Sequence, residues 1–216
     1  MYYSYTQQTT KVLMAIGEVF TRRGCLVTTA PIEFTDSRYV DRFSKFPMRH
    51  AFFDLLRMLP AQLRRATGDI RVPAGAKEQH DLICVGSATW WLTTNMPIRS
   101  FLKSADVGGL FEGKQFAVVV PCRRYWRNNL NTVGRLGTMR GGKYVGGIHF
   151  TYAGSQIRSL LSLISYLRYG NQRERYLGVR IPPTNIQAHH LDDARTFAEG
   201  LAENLVQKKA FQPAND

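Results

Sequence analysis

The sequence predicts an α/β domain built around a parallel β-sheet. Apolar runs such as residues 81–86 and 115–121 are typical of strands that are covered on both faces. Residues 9–22 and 191–209 instead repeat apolar side chains at helical spacing. Strands that alternate with helices indicate a parallel sheet with right-handed crossovers and helices on both faces. The 216 residues, of which 44% are hydrophobic, suffice for one domain with a substantial core.

Several predicted elements carry a local stop or interruption signal. Gly24 ends the first helix, and Pro31 interrupts the second strand because proline has no N–H to donate to a ladder. The predicted strands span residues 1–5, 26–34, 81–86, 115–121 and 144–152. The predicted helices span residues 9–22, 97–104, 125–139, 156–169 and 191–209.

Two segments depart from a plain alternation of strands and helices. Residues 37–75 are rich in Phe and Leu and contain seven arginines, and we interpret them as a helical insertion between the second and third strands. A crossover helix with a long loop is the alternative. The first strand is short, so we expect the true start to lie upstream of Met1, with a clipped strand as the alternative. The whole of 1–210, with the insertion, is predicted as a single domain, and 211–216 as a flexible tail.

The chain is strongly basic. It has 29 Lys and Arg against 16 Asp and Glu, a formal net charge of +13, and no acidic residue within 113–173. An excess of positive charge of this size predicts that the protein binds an anionic small molecule or redox partner. We expect this positive charge to lie around the active site. Contact with a membrane surface or nucleic acid is less favoured, and a homodimer stays open.

Cysteine usage and the apolar runs indicate a cytoplasmic protein. The three cysteines, Cys25, Cys84 and Cys122, match no metal motif, and their odd number argues against a disulfide framework. No signal peptide is visible at the N-terminus. The longest apolar stretch, 159–167, has nine residues, whereas a bilayer span needs about 20.

Three loops that follow predicted strands hold the candidate chemistry, because ligands bind at the carboxyl ends of strands in open parallel sheets. The first loop, 4–11, combines Ser and Thr hydroxyls with backbone amides at a helix N-terminus, which forms an anion site. The alternative is that Thr9 or Thr10 only caps the helix. It is not a Walker loop, since Gly-Lys-Ser/Thr is absent.

The second and third loops add aromatic and basic side chains. Trp90 and Trp91 lie side by side in the second loop, 86–97, and their flat faces suit a planar heteroaromatic ligand. Alternatively, one of the two tryptophans packs inward. The third loop, 121–129, interleaves arginines with aromatic residues, which stack on a ring or hold a phosphate or carboxylate.

These loops, in this order, resemble the flavodoxin-like family. Residues 4–9, Ser-Tyr-Thr-Gln-Gln-Thr, resemble its phosphate loop, and residues 81–90, Asp-Leu-Ile-Cys-Val-Gly-Ser-Ala-Thr-Trp, resemble the end of its third strand. The chain is similar above all to a bacterial branch associated with dialkylresorcinol and aryl-polyene biosynthesis, sometimes labelled condensing enzymes. The shared features are a Phe- and Pro-rich insertion at 46–53, a Cys-Arg-x-x-Trp loop at 122–126 and the late Pro182-Pro183 pair.

The resemblance implies a three-layer αβα fold with a five-stranded parallel sheet that binds flavin mononucleotide (FMN). The cofactor-binding residues that it implies are Ser4, Thr6, Gln7, Gln8, Thr9, Thr10, Ala88, Thr89, Trp90, Trp91, Cys122, Arg123 and Tyr125. It further implies an oxidoreductase that passes electrons from NAD(P)H or a redox partner to a small or acidic substrate. The candidate catalytic residues are Arg123, Arg124 and Cys122.

Departures from the family pattern keep other functions open. Gln7 replaces a glycine of the phosphate loop, and Ala88 replaces a common proline. The basic charge differs from the acidic electron carriers of the family and favours an enzyme. The alternatives are a flavin-free interaction module and a transferase or condensing enzyme with Cys122 as nucleophile. For the latter, the candidate bases are His149, His189 and His190. Nucleic-acid binding would explain the charge but none of the three loops.

Overall fold

The structure, a computed structural model, describes residues 1–43, 45–121, 125–152 and 155–211, with side chains as far as Leu205. The strands are β1 (Tyr2–Tyr3), β2 (Glu33–Phe34), β3 (Ile70–Arg71), β4 (Leu82–Ser87), β5 (Thr89–Trp90), β6 (Thr93–Thr94), β7 (Gln115–Pro121), β8 (Lys143–Phe150), β9 (Arg175–Tyr176) and β10 (Val179–Arg180). The helices are α1 (Gln8–Arg22), α2 (Val40–Phe43), α3 (Ala51–Leu63), α4 (Met96–Lys103), α5 (Trp126–Met139), α6 (Gln156–Tyr169) and α7 (Ala188–Phe211). The predicted tail beyond Phe211 lies outside the described residues.

The central sheet is parallel and has four strands, in the order β1, β4, β7, β8. Because side chains alternate along a strand, β7 contributes to two cores. Phe116, Val118 and Val120 enter one core, Ala117 and Val119 enter the other, and all five are fully buried. The predicted α/β class with a parallel sheet is therefore confirmed.

The predicted second strand at 26–34 forms only in its last two residues, as β2, which does not join the central sheet. An isolated parallel bridge joins Pro31 to Tyr2, with hydrogen bonds from Tyr2 N to Ala30 O (3.1 Å) and from Ile32 N to Tyr2 O (2.8 Å). No longer ladder follows, because β1 offers two residues and Pro31 has no N–H. Among the described residues the sheet thus has four strands and the predicted fifth is not confirmed, although the bridged segment occupies the outer place in the 2-1-3-4-5 order of flavodoxin-like sheets.

Helices cover both faces of the sheet. α1 and α7 pack together on one face, where Val12, Ile16 and Ala198 are buried. α4 and α5 cover the other face through Ile98 and Val133, among others. Three layers result, helix, sheet and helix, as predicted. Within the described ranges, no helix has the length and apolar character needed to cross a bilayer.

Two inserted segments reach the carboxyl edge of the sheet. The first falls within the predicted insertion at 37–75 and contains α2 and α3, and the antiparallel pairing of β2 with β3 brings its ends together. The second, between β8 and α7, contains α6 and the β9–β10 hairpin. Met48 and Ala51 at the start of α3 pack against Ile164 and Leu167 of α6. We call α3 and α6 together the cap.

A buried arginine connects helix α3 of the cap to helix α4, which packs on the central sheet. Arg99 of α4 is 1% exposed, and its guanidinium donates 2.7 Å hydrogen bonds to Ala66 O and Gln62 Oε1 and a further bond to Thr94 O. Burial, and to a lesser extent nearby Arg65, lowers the pKa of Arg99 to about 10, so it remains charged at neutral pH. No ion pair in the described part of the chain neutralises it. Hydrogen bonds to uncharged oxygen atoms therefore stabilise the positive charge of Arg99.

Removing this guanidinium should weaken the attachment of the cap. Arg99→Met removes the donor of these three hydrogen bonds and of a longer one to Thr93 Oγ1 (3.5 Å), and each buried polar group left unpaired costs about 1–3 kcal/mol. We therefore expect the free energy of unfolding, measured with urea, to fall by about 3 kcal/mol. Arg22→Met, at the exposed end of α1, is the matched control and should change it by less than about 0.5 kcal/mol. Equal losses in the two variants would contradict the anchoring role.

Candidate functional site

A cavity of about 230 Å³ opens at the carboxyl edge of the sheet, beside the ends of β1 and β4. Its walls come from the loops after β1, β4 and β7 and from the cap. The strand order reverses between the first and third strands of such a sheet, and ligands bind at this switch point. The predicted cofactor-binding residues that line the cavity are Ser4, Thr6, Gln8, Thr9, Ala88, Thr89, Trp90, Trp91 and Tyr125.

The first turn of α1 presents unpaired hydrogen-bond donors. Thr10 N donates to Ser4 Oγ (3.3 Å) and Lys11 N donates to Gln7 O (3.0 Å), whereas the amides of residues 6–9 donate to no group in the described part of the chain. The buried hydroxyl of Thr10 likewise has no hydrogen-bond partner among the described residues, although Thr10 and Gln7, both predicted to bind the cofactor, are not among the residues that line the cavity. That turn contains no acidic residue. Free amides at a positive helix end form a site for an anion such as phosphate.

Gln7 adopts the left-handed backbone conformation, with a φ of 60°. Its position matters because the flavodoxin-like phosphate loop has glycine there, and glycine adopts positive φ without steric cost. In this chain the Gln7 side chain donates from Nε2 to Ser4 O (3.2 Å). The turn is thus made by a residue that carries about 1–2 kcal/mol of backbone strain.

The same conformation recurs in the other two loops that line the cavity. Trp91 has a φ of 54° and Tyr125 a φ of 53°. Each of the three loops therefore contains one non-glycine residue in the left-handed region. Such strain persists only where surrounding contacts enforce it, and it clusters at functional sites.

Gln8 ties the first loop to the cap and to the segment before α7. Its Nε2 donates to Thr6 O (3.2 Å) and to Tyr166 Oη (3.3 Å), and its Oε1 accepts from Ile186 N (2.8 Å). The side chain lines the cavity while its polar atoms are engaged by the protein. Gln8 thus acts first as a brace, a role that the resemblance did not imply.

The two tryptophans of the second loop have different surroundings. Trp90 stacks on Phe43 with ring centroids 4.8 Å apart, and the edge of Tyr3 approaches it at 5.6 Å. Trp91 donates from Nε1 to Leu55 O in α3 at 3.0 Å. One face of Trp90 is therefore already covered by the inserted segment, although both tryptophans line the cavity.

A buried polar network holds the second loop. Asn129 of α5 donates from Nδ2 to Ser87 O (2.8 Å) and to Thr89 Oγ1 (3.0 Å), and its Oδ1 accepts from Ser87 Oγ (2.9 Å). Asn95 donates to Ala88 O (2.9 Å) while its Oδ1 caps α4. We did not predict either asparagine as part of the site. Asn95 stands two residues before a proline, an ordinary helix-start pattern, whereas nothing local marks Asn129.

The third loop is described only in part, because Cys122, Arg123 and Arg124 lie outside the described residues. The Oη of its Tyr125 accepts a hydrogen bond from Gln156 Nε2 of α6 (2.8 Å), which links this loop to the cap across the cavity mouth.

The candidate bases for the Cys122 hypothesis do not line the cavity in the part of the chain that is described. His149 stacks on Trp126 with ring centroids 3.3 Å apart, and burial, together with Arg127, lowers the pKa of its imidazole. His190 is 6% exposed, its Nδ1 accepts from Gln187 N, and burial lowers its pKa as well.

The cap supplies the walls that sequence reasoning did not identify. The described cap residues and neighbours that line the cavity are Phe43, Met48, Leu55, Met58, Gln156, Ser159, Leu160, Leu163, Tyr166 and Leu167. Most are apolar, so the cavity joins a polar end at the first loop to an apolar end between the two helices. The sequence predicted the helix 156–169, but helical periodicity alone does not indicate which residues of another segment it faces.

The acid-free stretch 113–173 does not lie wholly around the cavity, which corrects the expectation from sequence. Lys114 and Lys143 stand at the starts of β7 and β8, at the opposite edge of the sheet and roughly 20 Å away. Arg127 and Arg158 each follow a cavity-lining residue by two positions, and no ion pair engages either of them in the described ranges. Only part of the positive charge borders the site.

Comparison with known proteins yields distant structural likenesses. No protein-family model and no curated protein matches the chain. A flavoprotein in complex with FMN from Lactobacillus acidophilus is similar at a TM-score of 0.49 and 12% identity, covering 68% of this chain and 89% of that one. A proposed flavoprotein from Bacteroides eggerthii is similar at a TM-score of 0.46 and 15% identity, covering 76% and 94%. None of these comparisons supports the dialkylresorcinol and aryl-polyene branch.

The strained turn at Gln7 can be tested by substitution. Gln7→Gly should leave the free energy of unfolding unchanged or raise it by up to about 1 kcal/mol, because glycine relieves the left-handed strain. Gln7→Val should lower it by more than about 1 kcal/mol, because a β-branched residue resists positive φ. Urea unfolding of both variants measures the difference. A Val variant as stable as the Gly variant would contradict a left-handed residue 7.

Proposed function

We propose that this chain is a flavodoxin-like flavoprotein that binds FMN in the cavity and acts as an oxidoreductase. The observation that carries the proposal is the set of unpaired amides at residues 6–9, together with the unpartnered Thr10 hydroxyl, at the switch point of the sheet. A phosphate monoester supplies the acceptors that these donors lack. The residues present therefore fit the phosphate group of FMN.

The proposed ligand contacts divide between two ends of the cavity. The phosphate would be held by the amides of residues 6–9 and by the hydroxyls of Ser4, Thr6, Thr9 and Thr10. The residues proposed to border the flavin ring are Ala88, Thr89, Trp90, Trp91 and Tyr125, all of which line the cavity. Tyr125 is oriented by its hydrogen bond from Gln156, and Thr89 by its bond from Asn129.

The flavin would supply the hydride or electron transfer, and the protein would supply position and charge. Cys122, Arg123 and Arg124, which lie outside the described residues, stay in the proposal as candidate site residues from the sequence, and an arginine beside a flavin ring would raise the reduction potential of the flavin. Arg127 and Arg158, which each follow a cavity-lining residue by two positions, are proposed to receive the phosphates of an NAD(P)H donor. The apolar cap wall, with Leu55, Met58 and Leu163, supports an apolar organic substrate better than the acidic one that net charge alone indicates.

A flavin-free interaction module is the second candidate, and one observation favours it. Phe43 stacks on Trp90 at 4.8 Å and occupies a face that a flavin ring would otherwise use. The visible spectrum separates the two functions, because only a flavoprotein keeps the flavin absorption band after unbound FMN has been removed from the mixture by gel filtration.

Flavin titration should depend on the phosphate. We expect FMN to bind with quenching of its fluorescence, and riboflavin, which lacks the phosphate, to bind at least about 100-fold more weakly. The reason is that the free amides and the helix end interact with the phosphate rather than with the ring. Equal affinity for the two flavins would remove the first loop from the proposed site.

Thr10→Val tests the unpartnered hydroxyl separately. Valine keeps the shape of threonine, and the free protein loses no hydrogen bond, so its stability should not fall. FMN affinity should fall about 10-fold, the effect of one hydrogen bond to a charged group. Thr21→Val on the exposed side of the same helix, α1, is the control and should change neither quantity. Unchanged FMN affinity in Thr10→Val would exclude the hydroxyl as a phosphate ligand.

A further inference from the structure

Helix α3 is apolar on two opposite sides. Its inner side contributes Leu55 and Met58 to the cavity wall. Its outer side exposes Phe52 (50% exposed), Phe53 (63%), Leu56 (40%) and Leu63 (61%). Solvent-exposed large apolar residues are ordinary when they are scattered, but four on one 13-residue helix form a continuous patch.

The patch has a regular geometry. Phe52, Leu56 and Leu63 follow one another at spacings of four and seven residues, so they form one stripe along the helix. The neighbouring stripe, at the same spacings, consists of Phe53, Arg57 and Arg64, and both arginines are exposed. We call these two stripes together the outer face of α3.

The charge around the outer face is positive. Lys45, Arg49 and Arg65 are also exposed nearby in the chain. The acidic Asp54 is 13% exposed and forms an ion pair with Arg42 at 3.4 Å, so it does not offset the arginines of the outer face. An apolar stripe beside an arginine-bearing stripe is the pattern of helices that lie in a membrane interface.

We propose that the outer face of α3 docks the protein on the surface of an anionic lipid bilayer. Phe52, Phe53, Leu56 and Leu63 would enter the boundary between headgroups and acyl chains, and Arg57 and Arg64 would contact lipid phosphates. The net charge of +13 favours such a surface over a second copy of the chain, whose identical arginines would repel these.

Docking in this way would place the cavity close to the bilayer. The outer face and the cavity wall are opposite sides of one helix, whose diameter with side chains is about 10 Å. The bilayer would therefore lie beside the apolar end of the cavity. The docking itself does not depend on flavin, so it stands or falls independently of the proposed function.

Vesicle co-sedimentation tests the docking surface. We expect the full chain to sediment with vesicles of phosphatidylglycerol and phosphatidylcholine in equal parts and to remain in solution with phosphatidylcholine alone. The double variant Phe52→Ser/Phe53→Ser should weaken binding by more than about tenfold, because each phenylalanine adds apolar area to the interface. Leu56→Ser/Leu63→Ser is a second pair with the same expectation, should the first pair fail to fold.

Matched control variants remove the same number of apolar side chains or positive charges from surface positions outside α3. Leu26→Ser/Met139→Ser removes two side chains that are 102% and 70% exposed, and it should leave vesicle binding unchanged. Arg57→Gln/Arg64→Gln should weaken binding more than Arg22→Gln/Arg135→Gln, which removes the same charge from exposed positions outside α3. Urea unfolding confirms that each variant is folded.

Three outcomes would overturn the proposal. The first is full vesicle binding by folded variants of both apolar pairs, which would mean that charge alone attracts the protein. The second is equal weakening by the Leu26/Met139 control. The third is a dimer, seen by analytical ultracentrifugation, that the Phe52/Phe53 variant abolishes, since a second copy would then cover this face.

Discussion

Four backbone amides at the start of α1 have no partner in the described part of the chain, and the rest of the site is arranged around them. Left-handed Gln7 turns the chain from β1 into the helix, and its side chain holds Ser4 O. Unpaired donors are costly inside a protein, so native structures normally satisfy them. The first N–H groups of any helix lack an intrahelical partner, and here they stand beside residues that line a cavity, so the proposed anion site rests on their position. The Thr10 hydroxyl is also unpartnered, although Thr10 is not among the cavity-lining residues.

The cap adds walls to the crevice at the carboxyl edge of the sheet and makes it a cavity with a mouth. The loops after parallel strands form only a shallow site, and α3 and α6 add the missing walls. Three polar contacts hold this arrangement: Arg99 secures the end of α3, Tyr166 receives a hydrogen bond from Gln8, and Tyr125 receives one from Gln156. The cap therefore influences what the cavity accepts, because its side chains facing the cavity are mostly apolar while the first loop is polar.

The basic residues are distributed over several separate regions of the molecule. Lys114 and Lys143 lie at the edge of the sheet remote from the cavity, Arg127 and Arg158 each stand two positions after a cavity-lining residue, and the arginines of α3 flank an exposed apolar stripe. Charge acts over about 10 Å at ordinary salt, so these groups create separate local fields rather than one. The net charge of +13 is thus the sum over several separate surfaces, and its value alone does not identify which surface binds an anion.

The sequence was enough to predict the long central strands, most of the long helices and the position of the loops that follow the strands. The bounds of β7 (Gln115–Pro121) and α6 (Gln156–Tyr169) follow from periodicity and stop signals, which are properties of neighbouring residues. The sequence also predicted that hydroxyls and tryptophans come together at the ends of strands. Only the tertiary structure decided that residues 26–34 lack a full ladder, that Phe43 covers Trp90, and that α6 walls the cavity. Each of these depends on a partner far away in the chain, and the pattern of a segment does not identify its partner.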